Sequence, residues 1–242
     1  ESDSVLRNFK MIAEPWDVTR YSLGDFPHPW REWNDAYRDS VRQFWLGDLA
    51  RGYGEGVADI ASRISGSSDI FYYRGPTSSI NFITAHDGFT LADLVMYQHK
   101  HNDPNQEDSV DGNNDNRSWN LGVEGPSDDP IVKAHRHQLK KSMVATLLLS
   151  SGVPMMTMGD EIGRTQNGSN NGYSLPRDMS PLMEDSEANF MGGWANKWKL
   201  NEEESDLFDA VSELAHIRKQ YLEGVAHEFF TGTVDAGTKR KD

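Results

Sequence analysis

The chain has 242 residues, 36% of them hydrophobic, no cysteine and a formal net charge of −14. That length holds one large domain or two small ones. The missing cysteines exclude disulfides and cysteine-held zinc, and the acidic balance excludes a nucleic-acid partner, whose phosphates need a basic face. No apolar run approaches the ~20 residues of a membrane span, and the opening Glu1-Ser2-Asp3-Ser4 has no signal-peptide pattern, so a cytoplasmic protein acting on a neutral substrate is expected. The 7 tryptophans and 8 tyrosines, many beside Asn, Asp and Gly, suit a sugar-binding cleft as well as an ordinary core.

The first element is the apolar run Phe9-Lys10-Met11-Ile12-Ala13, which predicts a strand. Pro15 cannot donate to a ladder and ends it, so Glu14 sits where the strand runs out. Residues 17–34 read as a loop with little regular structure. Residues 35–46 predict a helix, with Tyr37, Val41, Phe44 and Trp45 at spacings of three and four. A second helix follows, with Val57, Ile60, Ala61 and Ile64 on one face, broken at Gly66-Ser67-Ser68-Asp69. The run Ile80 to Ala85 predicts a second strand, ending in His86-Asp87-Gly88. Leu91 to Tyr97 is a short helical piece.

Residues 101–130 form a long polar insert, read as a rim over a cleft at the strand ends or a solvated loop. Asp108, Asp111, Asn113 and Asp115 lie close together but lack the EF-hand order of ligands. No metal and no cofactor is expected. The paired histidines His99/His101 and His135/His137 are spaced i, i+2, which does not bring two imidazoles to one helix face, so they read as surface residues. Residues 131–150 predict a strong helix with a stripe of Ile131, Ala134, Leu139, Met143, Thr146 and Leu147 and basic residues opposite. A third strand begins at Val153 and leads into Gly159-Asp160-Glu161. Residues 163–200 are irregular. Asn201 and Glu204 predict a capping box for a helix running to about Tyr221. The tail, 228–242, starts as a β-type segment at Glu228-Phe229-Phe230.

Three apolar runs each lead into an acidic residue at a chain break, and helices alternate with them through short turns. That implies parallel strands with crossover helices and a site assembled at strand ends. Carboxylates with a neighbouring histidine, no metal signature and a cleft rich in Trp, Tyr and Asn point to glycoside hydrolysis, which needs one carboxyl to donate and one to attack. Glu14 beside Pro15 and Trp16 has an apolar setting of the kind that suits a general acid.

Ala13-Glu14-Pro15-Trp16-Asp17, Phe82-Ile83-Thr84-Ala85-His86-Asp87-Gly88 and Gly152-Val153-Pro154-Met155 through Gly159-Asp160-Glu161 resemble three motifs of the α-amylase family, glycoside hydrolase family 13. Arg31-Glu32-Trp33-Asn34-Asp35, Ser118-Trp119-Asn120 and Gly163-Arg164-Thr165-Gln166 resemble its isoamylase and glycogen-debranching branch, and the similarity runs along nearly the whole chain. The resemblance implies an α/β fold, the C-terminal half (strands 5–8) of a (β/α)8 TIM barrel. Residues 1–227 then make a partial catalytic domain and 228–242 the start of a C-terminal β-domain. A fourth strand is expected near residues 31–35. Glu14 matches the general acid/base and Asp87 the carboxylate that holds the sugar and stabilises the transition state. His86, Trp16, Trp33 and Asn34 are the implied substrate-binding residues, and Glu161, in the family's last motif, reads as structural or as a support behind the residues that touch substrate. The implied partner is an α-glucan, glycogen or branched maltodextrin. The family's nucleophilic aspartate has no counterpart among the thirteen residues before Glu14, and residues 172–193 depart from the branch's pattern. The alternatives are a transglycosylating or trehalose-forming relative and a non-catalytic carbohydrate-binding module. Against the last, a binding module has no need of a general acid.

Overall fold

The structure, a computed structural model, describes residues 9–48, 56–173, 199–224 and 227–234. The approach segment, the middle of the irregular stretch and the end of the tail, read from the sequence at 1–8, 174–198 and 235–242, lie outside the described residues. Four strands form one parallel sheet in chain order: β1 (Ile12–Ala13), β2 (Arg31–Asn34), β3 (Ser79–Asn81) and β4 (Val153–Pro154). The expected parallel arrangement is thus present, and the segment read as irregular at 17–34 ends in a central strand. The register pairs Ala13 with Glu32, Trp33 with Ile80, and Ile80 with Val153.

β2 escapes a hydrophobicity reading because its two buried side chains are Glu32 and Asn34. Glu32 is paired with Arg74 and accepts from the Gly24 amide at 2.6 Å, so the charge is compensated inside the protein. β3 is shorter than its apolar run. Arg42 takes the Ile83 carbonyl through Nε at 2.9 Å and Nη2 at 2.6 Å, which removes that carbonyl from any ladder. Phe82, Ile83 and Thr84 stay buried as the chain leaves the sheet.

The connections are helical. α1 (Asp35–Arg42) starts directly at the end of β2, with the Asn34 side chain accepting from the Tyr37 amide at 3.0 Å, and continues as a wide turn over Gln43–Asp48. α2 (Val57–Ile64) and the short α3 (Ser68–Phe71) lead to β3. α4 (Leu91–Leu94), capped by Thr90, follows it. α5 (Pro130–Leu149) precedes β4 and packs along α6 (Glu202–Ile217), which has the expected capping box between Asn201 and Glu204. Tyr37 and Val41 of α1, Phe89, Leu91 and Leu94 around α4, and Leu139, Met143 and Leu147 of α5 make one core. Burying the five apolar side chains that α5 contributes, Leu139, Met143, Val144, Leu147 and Leu148, yields on the order of 10 kcal/mol before chain entropy.

The stripe expected on α5 is shifted. Ile131 and Ala134 are exposed, whereas Arg136 and Lys140 are buried. Arg136 belongs inside because its guanidinium closes the polar insert: it donates to the carbonyls of Gly125 at 2.7 Å, Asn120 at 2.9 Å and Val123. Lys140 reaches Glu203 of α6 at 2.9 Å, and His137, read as a surface residue, contacts Asp206 at 2.5 Å. The start of the tail turns under the sheet, where Ser151 Oγ donates to Glu228 O at 2.9 Å and the Phe230 amide to Ser65 O at 3.1 Å.

β1 lies at one edge of the sheet, and its flank carries exposed Phe9 and Ile12. An edge with exposed apolar side chains invites pairing with another strand. Expressed by itself, the 242-residue chain should therefore self-associate, read by sedimentation velocity as dimers and larger species. A monodisperse monomer with a sharp cooperative melt contradicts this.

Candidate active site

All four strands run the same way, so the residues that follow them gather at one end of the sheet. Glu14 follows β1, His86 and Asp87 come after β3, and Glu161 comes after β4. The pleat then sorts the faces. Ala13, Glu32, Asn34, Ser79 and Asn81 share the face toward the helices. Ile12, Trp33 and Ile80 share the other, by the register of the three strand pairs. Trp33 packs on Phe82 at a ring separation of 5.5 Å and meets His86 edge-on at 5.7 Å. Phe82 is buried beneath this contact, so it is the half-buried Trp33 ring and the exposed His86 imidazole that this side of the sheet offers to a ligand.

Asp87 is three-quarters exposed, with the His86 Nε2 atom 3.3 Å away. It opens onto a cleft of about 470 Å³. One wall is α1, with Arg38 and Asp39; the other is the tip of the polar insert, with Asp111, Asp115 and Arg117. Arg38 lies over the Phe82 ring at 5.7 Å, and Arg117 reaches Asp39 at 3.4 Å. The insert is thus a wall of this cleft, in keeping with its reading as a rim. It is seated by Asn102 and Asn170: Asn102 Nδ2 donates to Asn170 Oδ1 at 2.9 Å, and Asn170 Nδ2 donates to the Asn113 carbonyl at 2.6 Å and to Asn116 Oδ1 at 3.0 Å. Gly112 lies so close that a Cβ there would sit 2.1 Å from Asn170 Oδ1, and its φ is +79°, so only glycine fits. At the insert's base Glu124 collects the amides of Gln98 and His99, the Asn120 side chain at 2.8 Å and the His101 ring at 2.9 Å, four donors that outweigh its partial burial and hold its carboxyl down at about 2.

Of the expected site residues, the structure brings Trp33, His86 and Asp87 together. Glu14 is exposed just past the edge strand, outside the lining of the cleft, and the apolar setting expected for it is not supplied by the described residues. Trp16 is half-buried and bridges Tyr21 in an antiparallel pair. Asn34 is corrected. It is fully buried, with Nδ2 donating to Ser67 Oγ at 3.1 Å and to Ser79 Oγ at 2.8 Å while Oδ1 caps α1. No part of its amide is left for a substrate. Glu161 fits its structural reading, with Oε2 accepting from its own turn at the Gly159 amide, 2.8 Å away.

The carboxylates that sequence reasoning passed over are Asp160 and Asp93, both fully enclosed. Asp160 accepts from Thr84 Oγ1 and, at 3.0 Å, from the Leu91 amide. Asp93 accepts from Thr165 and from the Gln166 amide at 2.8 Å. Burial pushes the Asp160 carboxyl up to about 6, against the pull of Thr84, Leu91 and Arg164, and raises Asp93 in the same direction. The signal for Asp160 was in the chain, inside the Gly159-Asp160-Glu161 motif, but its neighbour drew the assignment.

Carboxylates and aromatic side chains thus lie at the C-terminal end of a parallel α/β sheet, the end at which parallel α/β proteins build their sites. No protein-family model matches the chain. It is 45% identical over 236 residues to the glycogen operon protein GlgX homolog of Mycobacterium tuberculosis, covering 96% of this chain and 30% of that protein. It is 42% identical over 224 residues to the glycogen debranching enzyme of Erwinia tasmaniensis, covering 90% and 31%, and 49% identical over 173 residues to that of Dickeya chrysanthemi, covering 69% and 25%. Among solved structures, the pullulanase from Bacillus acidopullulyticus superimposes with a TM-score of 0.57 at 22% identity, over 88% of this chain and 22% of that one, which shows a shared fold. Along most of its length the chain is thus a homologue of proteins named glycogen debranching enzyme and glycogen operon protein GlgX, and it spans about 30% of the length of the curated relatives it matches.

A carboxyl whose pKa is raised on folding contributes stability below its unfolded value, and that contribution is lost as pH rises through the folded value. For Asp160 the window runs from about 4 to about 6. In the chain extended to the length of its relatives, Asp160→Asn should match the wild type near pH 4. At pH 8 it should exceed the wild-type stability by up to ~3 kcal/mol, since each tenfold change in proton affinity is worth ~1.4 kcal/mol. Parallel urea titrations across that range check this; a difference that does not change with pH contradicts it.

Proposed function

We propose that this chain is part of a longer glycogen debranching enzyme that hydrolyses α-1,6-glucosidic branch linkages in glycogen and related α-glucans with retention. The observation that carries the reading is the placement of Glu14 and Asp87 at the same end of one parallel sheet, in a chain 42–49% identical to proteins named glycogen debranching enzyme. In this reading β1 to β4 are strands five to eight of a (β/α)8 barrel, and residues 228–242 open a C-terminal β-domain. The nucleophilic carboxylate comes from a stretch of the longer protein outside these residues. The setting is the cytoplasm, with the glucan as partner and no cofactor.

The chemistry follows from the two carboxyl groups. The nucleophile attacks the anomeric carbon, the glycosidic C–O bond breaks, and the leaving oxygen takes the proton of Glu14. Glu14, now ionised, takes a proton from water, which attacks the same carbon and releases the nucleophile. Asp87 holds the sugar's hydroxyls and faces the positive charge that develops on the ring. His86 and Trp33, in contact with each other, flank the bound ring, and Trp16 follows Glu14 on the side of the leaving chain. The exposure of Glu14 fits an acid that is enclosed by the rest of the barrel and by substrate.

The test is release of reducing ends from glycogen, measured beside glucan affinity. Glu14→Gln in the longer protein should lose ~10²–10⁴ of the rate, because the amide keeps the shape but delivers no proton. Asp87→Asn should lose ~10²–10³. Both should still bind glucan, and residues 1–242 alone should show no turnover. Wild-type rates in Glu14→Gln refute the assignment; new linkages formed without net release of reducing ends would point to the transglycosylating alternative.

A further inference from the structure

Asp87 has no hydrogen-bond harness of its own. Among the described residues its one polar neighbour is the adjacent His86, and the side chain is 76% exposed. Its direction is therefore set by the backbone turn that carries it, residues 84–91, between the end of β3 and the start of α4.

We propose that Asp160 is a positioning residue for Asp87, holding both ends of this turn with one carboxylate. This deepens the functional reading above and rests on it for the role of Asp87. Asp160 Oδ2 accepts from Thr84 Oγ1 at the entry of the turn, and Oδ1 accepts from the Leu91 amide at its exit, 3.0 Å away. Thr84 Oγ1 also lies 3.1 Å from Thr157 Oγ1, on the chain that leaves β4. The middle is held as well, with the Gly88 amide donating to the Asn170 carbonyl at 2.9 Å and Phe89 fully buried in the core. The chain from Thr84 to Leu91 thus spans from one oxygen of Asp160 to the other, with His86 and Asp87 at the crest.

The choice of a carboxylate is informative. An asparagine could accept from Leu91 and donate to Thr84 without the penalty of burying a charge. Bonds to an ionised acceptor are shorter and about twice as strong as neutral ones, so the aspartate makes a stiffer clamp. Stiffness matters where it fixes a catalytic group: a displacement of ~1 Å can cost ~10²-fold in rate. The clamp lies outside the cleft and touches no substrate, so its loss should appear in kcat and spare binding.

The experiment uses the longer protein and three variants, Asp160→Ala, Asp160→Asn and Thr84→Val. Hydrogen exchange at the Leu91 and Gly88 amides reports the turn without reference to activity; kcat and KM on glycogen report its consequence. Asp160→Ala should lose ~10-fold or more of the Leu91 protection and ~10–10²-fold in kcat, with KM within about threefold. Asp160→Asn should recover most of the protection and come within about tenfold of the wild-type kcat, which a loss of packing alone would not predict. Thr84→Val, which leaves Asp160 in place, should show a smaller loss of the same kind and carries the test if the alanine variant does not fold. Unchanged kcat despite lost Leu91 protection overturns the positioning role. Unchanged protection in Asp160→Ala overturns the clamp itself. A wild-type protein without debranching activity refutes the proposed function, and the protection factors alone then decide whether Asp160 holds the turn.

Discussion

The sheet depends on a chain of side-chain hydrogen bonds that runs across it on the helix-facing side. Asn34 of β2 donates to Ser79 of β3, Ser79 Oγ donates to Asn81 Oδ1 at 2.6 Å, and Asn81 Nδ2 donates to the Ser151 carbonyl at the approach to β4, 2.8 Å away. The strands are two to four residues long, too short for their backbone ladders to fix a register alone. A slip of one residue would turn every side chain to the opposite face, moving Trp33 and Ile80 off the face they share. The polar chain makes that slip expensive, because each of its buried donors and acceptors would lose a partner. Gly152 completes it. Its φ is +106°, and a Cβ there would sit 2.8 Å from Asn81 Nδ2, so a side chain at this position would push the strand end away.

The same device recurs above the strands. Arg42, the buried last residue of α1, satisfies the Ile83 carbonyl and donates to the Asn116 carbonyl at 3.1 Å, linking the end of β3 to the insert. Desolvation lowers its pKa to about 9. Asp93 ties α4 to Thr165 and Gln166, and Asp160 ties the Asp87 turn to the end of β4. Buried ionisable groups of this kind are poor sources of stability. What they provide is position: irregular segments that cannot form ladders are held by side chains that end in several donors or acceptors. The cleft beside Asp87 is built from such segments, which accounts for the concentration of buried charge around it.

These features explain what could be read from the amino-acid sequence. The apolar runs before Glu14, His86-Asp87 and Asp160-Glu161 marked three strands, and the motifs that follow them carried the family resemblance. β2 was legible only through family resemblance, because a strand whose buried positions are Glu32 and Asn34 has no hydrophobic alternation to see. Asn34 was misassigned for a related reason. The resemblance alone made it a substrate-binding residue, yet its position just before α1 also makes it an N-cap, and the cap won. Arg136 and Lys140 read as a solvated face of α5, since the carbonyls that draw Arg136 inside come from a loop with no pattern of its own. Asp160 was hidden by the adjacent Glu161; nothing in one dimension tells which of two neighbouring carboxylates turns inward.

The proposed function turns on Glu14 as the acid/base of a retaining site. Chemical rescue tests it most directly. In the longer protein, Glu14→Ala acting on a glucosyl donor with a leaving group that needs no proton should accumulate the covalent intermediate, since no base remains to activate water. Azide needs no such base. It should attack the anomeric carbon, displace the enzyme carboxylate and restore turnover, giving an α-glucosyl azide in which the configuration of the donor is retained. An azide product of β configuration would place Glu14 in the nucleophile's role, and an absence of rescue would deny it the role of base; either result contradicts the account.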